Sequence, residues 1–503
     1  MWKCTHCVKK QRLRLSPDNT RVITRVFVPV VAERRQRIID RVLRLPQSEV
    51  RELLDAVMAS YSHRHKDIGR VLHASYDEVK GYIPGADRLT PEQRLLLGSY
   101  FTMEYAVESA ALFNPSIVED PDQAGVEDGA LRVILSLRAT GEGHVSSIEF
   151  RRAIVNTEGQ LTVEPTQKYV ATPEYIKNAE YDKNLFGLKF IEVNMPAEAA
   201  GPDLQPLLRE NEVLSAVLDR LGDPFTFEQL QAAMVAVAQE CEFDTHELDH
   251  VCEQLVWLAR SNYEVRFGDE TEISERVIFP VSETELCGIE DARFVRFRDN
   301  GSATYYATYT AYDGYTTLSQ LLETRDFRTF RVATLNGLYS QSKGMALFPR
   351  KVNGQYAMVS RVDGENLYMM YSDRIHFWYE ATMLRQPERP WEFYQIGNCG
   401  SPIETDEGWL LLTHGVGPMR TYCIGVMLLD LDDPAKVIAR GKQPLLVAGE
   451  DEREGYVPNV VYSCGALVHN GQLVIPYACS DFATSVATLS LSELLGALRE
   501  DRV

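Results

Sequence analysis

The sequence predicts a mainly β protein, a five-bladed β-propeller with an N-terminal helical region and a helical insertion. Three observations carry that expectation. Turn dipeptides recur ahead of short β-prone runs, the steps between them are nearly constant, and two long stretches keep helical spacing. Asn300-Gly301, Asn353-Gly354, Glu407-Gly408 and Asn470-Gly471 precede the runs Tyr305–Thr310, Tyr356–Ser360, Trp409–Thr413 and Leu473–Tyr477. Asn-Gly ahead of a strand is a hairpin signal, because both residues tolerate positive φ. Read from positions 300, 353, 407 and 470, the steps are 53, 54 and 63 residues. Antiparallel units repeating at about 50 residues are the mark of a propeller. A fifth candidate turn, Glu158-Gly159, follows the β-like run Leu131–Leu137. A β-sandwich with irregular hairpins is the other arrangement such runs allow, but it does not favour a near-constant step.

Helical spacing holds from about Val31 to Leu112, where Ile38, Ile39, Val42 and Leu43, then Val50, Leu53, Leu54 and Val57, recur at three- and four-residue steps. Pro46 and Pro84 punctuate it, and Thr90-Pro91-Glu92-Gln93 reads as an N-cap followed by Pro at the first helical position. A second helical block runs from about Leu204 to Ser261, after the turn Gly201-Pro202-Asp203, with Asp203 as a candidate N-cap. Capping signals within it are Thr226-Phe227-Glu228-Gln229 and Asp244-Thr245-His246-Glu247. The resulting division is a mostly helical segment 1–104, a propeller built from 105–165 and 275–492, and a largely helical insertion 166–274. A length of 503 residues is compatible with that many units.

Asp and Glu outnumber Lys and Arg by 72 to 52, a formal charge of -20. That excess argues against nucleic acid or an anionic membrane as partner, since both need a basic surface, and leaves room for a local pocket taking one small anion. No run approaches the roughly 18 apolar residues that span a bilayer, and Met1–Cys7 lacks the apolar stretch of a secretory signal. A cytoplasmic location is expected. The nine cysteines include Cys423, Cys464 and Cys479 in apolar settings, where reduced thiols pack as small hydrophobes. Cys4-x-x-Cys7 has no second pair at metal-binding spacing, so no metal and no cofactor are expected.

In a propeller, chemistry gathers where strand ends converge on the central channel. The densest such segment is Cys287-Gly288-Ile289-Glu290-Asp291-Ala292-Arg293, whose adjacent carboxylates and nearby Arg suit either a tuned acid or a turn held by an ion pair. Arg138 opens the glycine-rich Arg138–His144, a phosphate-cradling loop or simply a turn. Lys343 and Arg361 are cations at the ends of neighbouring β-runs, available to an anion or a sugar hydroxyl. Glu404 and His414 stand at opposite ends of one hairpin, and Asp481 is a further strand-end carboxylate. Two carboxylates across a channel are what glycoside cleavage requires, one protonating the leaving oxygen and the other activating water. His63-Arg64-His65 reads as a solvated helix end. His246-Glu247-Leu248-Asp249-His250 matches the zinc-protease pattern His-Glu-x-x-His; the alternative is a capped helix start with both His in solvent.

Taken together, these residues resemble glycoside hydrolase family 130. Gly288-Ile289-Glu290-Asp291-Ala292-Arg293 is similar to that family's Gly-x-Glu-Asp-Pro-Arg signature, with Ala292 in place of Pro. The likeness extends through Phe113-Asn114-Pro115-Ser116, Lys343, Arg361, Pro402-Ile403-Glu404-Thr405, His414-Gly415, Leu428–Pro434, Gly455–Val461 and Asp481. The resemblance implies a five-bladed propeller that cleaves β-mannosides, especially β-1,2- and β-1,4-linked mannose, with inversion. It implies Asp291 as general acid, working through a sugar hydroxyl in the phosphorylases, and Asn114, Arg293 and Asp481 as ligands of the mannosyl unit. Arg138, Lys343, Arg361 and His414 fall at or near positions that surround phosphate in the phosphorylases. Glu404 stands where those enzymes are expected to carry Lys. On that ground the sequence favours hydrolysis of β-1,2-mannooligosaccharides with Glu404 as base, and predicts that Glu404→Gln abolishes turnover. One of Glu450, Glu452 and Glu454 is a candidate for a further carboxylate. Phosphorolysis, with inorganic phosphate as co-substrate and mannose 1-phosphate as product, is the alternative, and a non-catalytic carbohydrate-binding propeller the second. The expected partner is a mannose-containing oligosaccharide. The helical segments are left to shape distal subsites or to form a homo-oligomer.

Overall fold

The computed structural model describes residues 8–176, 180–194, 206–240, 242–315, 317–340 and 343–501. Cys4-x-x-Cys7 and the turn Gly201-Pro202-Asp203 lie outside them. The protein is mainly β, and its strands form five large antiparallel sheets that follow one another along the chain. The first is built on Ala111–Glu119, Leu131–Thr140 and Ser146–Val155. The second opens with the hairpin Gly288–Asp299 and Ser302–Tyr312 and continues through Thr317–Thr324 and Thr329–Thr334. The third orders Ala346–Leu347, Tyr356–Ser360, Leu367–Ser372 and Ala381–Arg385. The fourth orders Gln395–Asn398, Gly408–Val416, Tyr422–Leu429 and Val437–Arg440. The fifth orders Val461–Tyr462, Gln472–Cys479, Ala483–Ser490 and, from the other end of the chain, Lys9–Leu15.

Each sheet contains one of the five turn signals. Asn300-Gly301 has φ of 48 and 79°, and Asn470-Gly471 has φ of 47 and 72°. Both are two-residue hairpin turns closed by the pairs Asp299–Ser302 and His469–Gln472.

Neighbouring sheets pack face to face in cyclic order. Ala111–Glu119 of the first sheet contacts Gly288–Asp299 of the second and also Gln472–Cys479 and Ala483–Ser490 of the fifth. Among the described residues, each junction between sheets holds a large apolar cluster. Phe150 and Phe294 meet between the first and second sheets, and Phe297 and Met358 between the second and third. Met369 and Trp409 meet between the third and fourth, Leu412 and Ile475 between the fourth and fifth, and Val474 and Val133 between the fifth and first. Successive side chains of a strand point to opposite faces. In Trp409-Leu410-Leu411-Leu412, residues 409 and 411 therefore fill one junction and residues 410 and 412 the next. A strand covered on both faces needs an unbroken apolar run, and this sequence supplies one.

Helices occupy Ala32–Leu43, Gln47–Tyr61, Ile68–Val79 and Pro91–Tyr100, then a second group from Lys183–Asn194 to Thr245–Arg260, and finally Leu491–Glu500. Thr90 caps the fourth as read, with Gln93 returning a hydrogen bond to the Thr90 amide. The structure differs from the sequence reading at the edges of these blocks. Helix ends at Tyr100, and Thr102–Ala106 pairs with Val22–Val26 as a strand. Tyr263–Arg266 and Glu174–Tyr175, expected within the insertion, extend the second sheet. His65 is no solvated helix end: it is buried, 2.8 Å from Glu104. The strand pair near the N-terminus is anchored to the first sheet by buried charges. Arg21 bridges Glu108 and Glu149 at 2.7 Å each, and Arg151 pairs with both carboxylates. Cys423, Cys464 and Cys479 are buried and unpaired.

Candidate active site

Two strands at the junction of the first and second sheets carry matching irregularities. Pairing slips between Phe113 and Ser116 and again between Glu290 and Arg293. Each bulge holds a non-glycine residue in the left-handed region, Asn114 at φ 46° and Asp291 at φ 56°. Such conformations cost energy and persist where surrounding contacts enforce them, commonly at functional sites. Here the contacts are direct: Asn114 Nδ2 donates to Asp291 Oδ1 at 2.6 Å, and the Phe294 amide donates to Ser116 Oγ at 3.1 Å. A strained pair, Ser480 and Asp481 at φ 49 and 50°, makes the turn after Gln472–Cys479. Gly288, at φ 130°, opens the motif because a Cβ there would run into the side chain and amide of Ser146.

Around Asp291 the charges form a chain. Arg138 Nη1 lies 3.3 Å from Asp291 Oδ1 and Nη2 3.0 Å from Glu290 Oε1, while Lys343 Nζ donates to Glu290 Oε2 at 2.8 Å. Arg293 is buried; it donates to the Asp291 carbonyl at 2.9 Å and to the Tyr462 hydroxyl at 2.5 Å. Tyr462 in turn packs its ring 5.0 Å from that of His414. Burial alone would raise the Asp291 carboxyl, but the charges of Arg138 and Arg293, the Asn114 amide and Lys343 outweigh it and hold it below the ordinary carboxylate range. Asp481 goes the other way, pushed up to about 7 by burial and by the Asp291 charge, with Arg138 and Arg420 opposing.

His414 does not act as a cation. Burial, with the Arg361 charge beside it, lowers it to about 3. Its Nδ1 lies 3.0 Å from the Asn398 carbonyl, which can only accept, so the proton sits on Nδ1. Nε2 is then free to accept from Arg361 Nη1 at 3.3 Å. The residue expected among the phosphate-binding cations is a neutral ring that orients one of them.

Glu404 departs furthest from expectation. Its carboxylate is 43 % exposed and pairs with Arg350, whose Nε lies 3.0 Å from both oxygens. It lines a cavity with Glu119, Arg296, Arg298 and Ser401, at the strand ends opposite those bearing Asn114 and Asp291, and neither Asp291 nor any of its partners lines that cavity. It is not placed to activate water beside Asp291. Glu452 is also committed elsewhere, accepting from Tyr477 at 2.5 Å and from the Gly449 amide at 2.7 Å, with Lys10 against it; Glu450 and Glu454 are exposed. His246 and His250 are exposed on a helix capped by Asp244, and among the described residues no group of three ligand-type side chains could hold a metal ion.

The structure thus brings together Asn114, Arg138, Asp291, Arg293, Lys343, Arg361, His414 and Asp481, and leaves out Glu404. It adds Glu290, Asn398 and Tyr462. Glu290 was visible beside Asp291, but its partners come from other sheets; Tyr462 stands one residue beyond the similar segment Gly455–Val461.

The model of glycoside hydrolase family 130, described as beta-1,4-mannooligosaccharide phosphorylase, matches residues 246–500. The chain belongs to that family. Its 1,2-beta-oligomannan phosphorylase from Thermoanaerobacter sp. (strain X514) is 34 % identical over 224 residues, covering 42 % of this chain and 72 % of that one. A beta-1,2-mannobiose phosphorylase from the same organism is 36 % identical over 218 residues, 41 % of this chain and 68 % of that one. A solved structure of the Listeria innocua beta-1,2-mannobiose phosphorylase in complex with beta-1,2-mannobiose aligns over 78 % of this chain and 93 % of that one, at 20 % identity and a TM-score of 0.44. The family 130 chain described here is a glycoside-active enzyme. Asn114 and Arg138 lie ahead of the matched stretch.

Proposed function

We propose that this family 130 protein is an inverting β-mannoside phosphorylase, acting on β-1,2-mannooligosaccharides, rather than the hydrolase that the Glu404 reading favoured. The observation that carries the reading is the convergence of Arg138, Lys343 and Arg361 on the strand ends around Asp291, without Glu404. The names of the relatives support it. The five sheets are read as the blades of a propeller. Their cyclic contacts support this, as does the pairing of Lys9–Leu15 with Ala483–Ser490, which completes the last blade from the other end of the chain.

In the proposed reaction a phosphate oxygen attacks the anomeric carbon from the face opposite the glycosidic oxygen, and the carbon–oxygen bond breaks with inversion. The proton of Asp291 reaches the leaving oxygen through a sugar hydroxyl, giving mannose 1-phosphate and an oligosaccharide one unit shorter. Asn114, Arg293 and Asp481 hold the mannosyl unit, and Tyr462 orients Arg293. The ionised state of Asp291 in the free site fits phosphorolysis. A phosphate dianion between Arg138, Lys343 and Arg361 offsets the charges that depress Asp291, so binding of the nucleophile raises the acid toward its protonated form. The test is incubation with β-1,2-mannobiose and β-1,2-mannotriose, with and without inorganic phosphate. Mannose 1-phosphate formed only with phosphate is the expected result; free mannose at equal rates in both would overturn it.

A further inference from the structure

Two rings on separate loops meet beside the site. His144 ends the loop that leaves the Arg138 strand, and Tyr456 lies on the segment leading into Val461–Tyr462. The Tyr456 hydroxyl is 3.2 Å from His144 Nδ1, and the ring centroids are 5.4 Å apart with planes inclined by 35°. Tyr456 is nevertheless 57 % exposed. A large aromatic left in water, yet paired to a second ring, presents an apolar face with polar edges.

The backbone beneath both rings is held firmly. His144 adopts φ 61°, and the Tyr105 hydroxyl secures its loop by donating to the Glu142 carbonyl at 2.8 Å, with the Val145 carbonyl 3.2 Å away. On the other side the Val457 amide donates to the Ser480 carbonyl at 3.0 Å. A Cβ on Gly455 would stand 2.5 Å from that same oxygen, so the chain bearing Tyr456 lies directly against the Ser480-Asp481 turn. The pair therefore bridges the loop that follows Arg138 and the turn that presents Asp481, and both of those residues belong to the charged cluster.

We infer that His144 and Tyr456 form a sugar-stacking platform for the sugar unit beyond the first leaving mannose, and so set a preference for chains longer than a disaccharide. The inference rests on the mannoside reading above. A pyranose ring is apolar on its faces and hydroxylated round its edge, which suits the Tyr456 face with the polar atoms of both rings beside it. The Asp291 cluster is read as holding the mannosyl unit being transferred, so a ring pair on the loops that flank it is assigned to a unit further along the chain.

The experiment compares Tyr456→Ala, Tyr456→Phe and wild type on β-1,2-mannobiose and β-1,2-mannotriose at saturating phosphate. Tyr456→Ala should raise the KM for the trisaccharide roughly five- to tenfold, as expected for one lost aromatic contact. The disaccharide kcat/KM and the phosphate KM should stay within about twofold. Tyr456→Phe, which keeps the face, should restore most of the trisaccharide affinity. Equal losses on both sugars, or none on either, would overturn the platform. Calorimetric titration of mannotriose into wild type and Tyr456→Ala reads the same contact without turnover. If wild type binds the sugar but makes no mannose 1-phosphate, the phosphorylase reading fails, while the titration still decides the platform.

Discussion

Replacing Glu404 by Gln separates the two chemistries cleanly, because structure and sequence predict opposite results. In the structure Glu404 and Arg350 are 43 and 39 % exposed, so solvent screens their attraction despite the double contact at 3.0 Å. An exposed pair of this kind contributes about 0.2–1 kcal/mol. Gln keeps the shape and one acceptor, and Arg350 retains its stack over Trp409 at 4.8 Å. The expected loss of stability is therefore under about 1 kcal/mol by urea titration. Phosphate-dependent turnover of β-1,2-mannobiose should change by less than about twofold. A general base lost from the reaction would instead cost roughly a hundred- to ten-thousandfold. Steady-state assay of mannose 1-phosphate at saturating phosphate distinguishes these outcomes easily. A hundredfold fall in kcat with an unchanged unfolding midpoint would refute the placement of Glu404 away from the reaction and restore it as base.

Three further outcomes follow from the same geometry. On the proposed phosphorylase reading, Lys343→Ala removes one charged contact to phosphate, and at about 1.5–3 kcal/mol for such a bond the phosphate KM should rise roughly ten- to hundredfold with little change in mannoside KM; equal effects on both would remove Lys343 from the proposed phosphate subsite. Asp481 binds its proton more tightly in the folded protein, with its carboxyl raised from 3.8 to about 7. Its contribution to stability is therefore greatest below about pH 4 and is lost as pH rises through about 7. The melting temperature of wild type should fall relative to Asp481→Asn across that window, and parallel curves would contradict the assigned burial. Arg21→Met leaves Glu108 and Glu149 with Arg151 as their one charged partner, and should cost about 3–5 kcal/mol in chemical denaturation because a buried ion-pair network is broken; a loss under 1 kcal/mol would show that the network is not holding the N-terminal strands.

The sheets were legible because their signals are local. Asn-Gly turns and alternating apolar runs specify hairpins within a dozen residues, and a strand covered on both faces announces itself, as Trp409–Leu412 does. Lys9–Leu15 was not legible, since its alternating charged residues make sense only against Ala483–Ser490 at the far end of the chain. The Asp291 cluster was legible through the resemblance, residue by residue, but its electrostatics were not. His414 reads as a cation in sequence and becomes a neutral acceptor only once the Asn398 carbonyl and Arg361 take its two nitrogens. Glu404 misled for a related reason. Residues 398 and 404 are close in sequence, yet the chain between them runs from the site to the opposite strand ends, and only the fold shows that Arg350 awaits it there.

The difference between a hydrolase and a phosphorylase in such a site reduces to how Asp291 comes to carry a proton. Surrounded by Arg138, Arg293 and Lys343 and bonded by Asn114, it is an anion in the free protein, with no proton to give. Removing one of those cations would raise it, but would also weaken the hold on substrate. An anionic nucleophile escapes this conflict, because it engages the cations and relieves their pull on Asp291 in a single binding step. Water does not, so the arrangement that strips Asp291 of its proton in the empty site is what would make its protonation depend on phosphate. Glu290 belongs to the same logic. By holding Arg138 and Lys343 at 3.0 and 2.8 Å, it keeps the cations apart and in place until an anion with more charge competes for them.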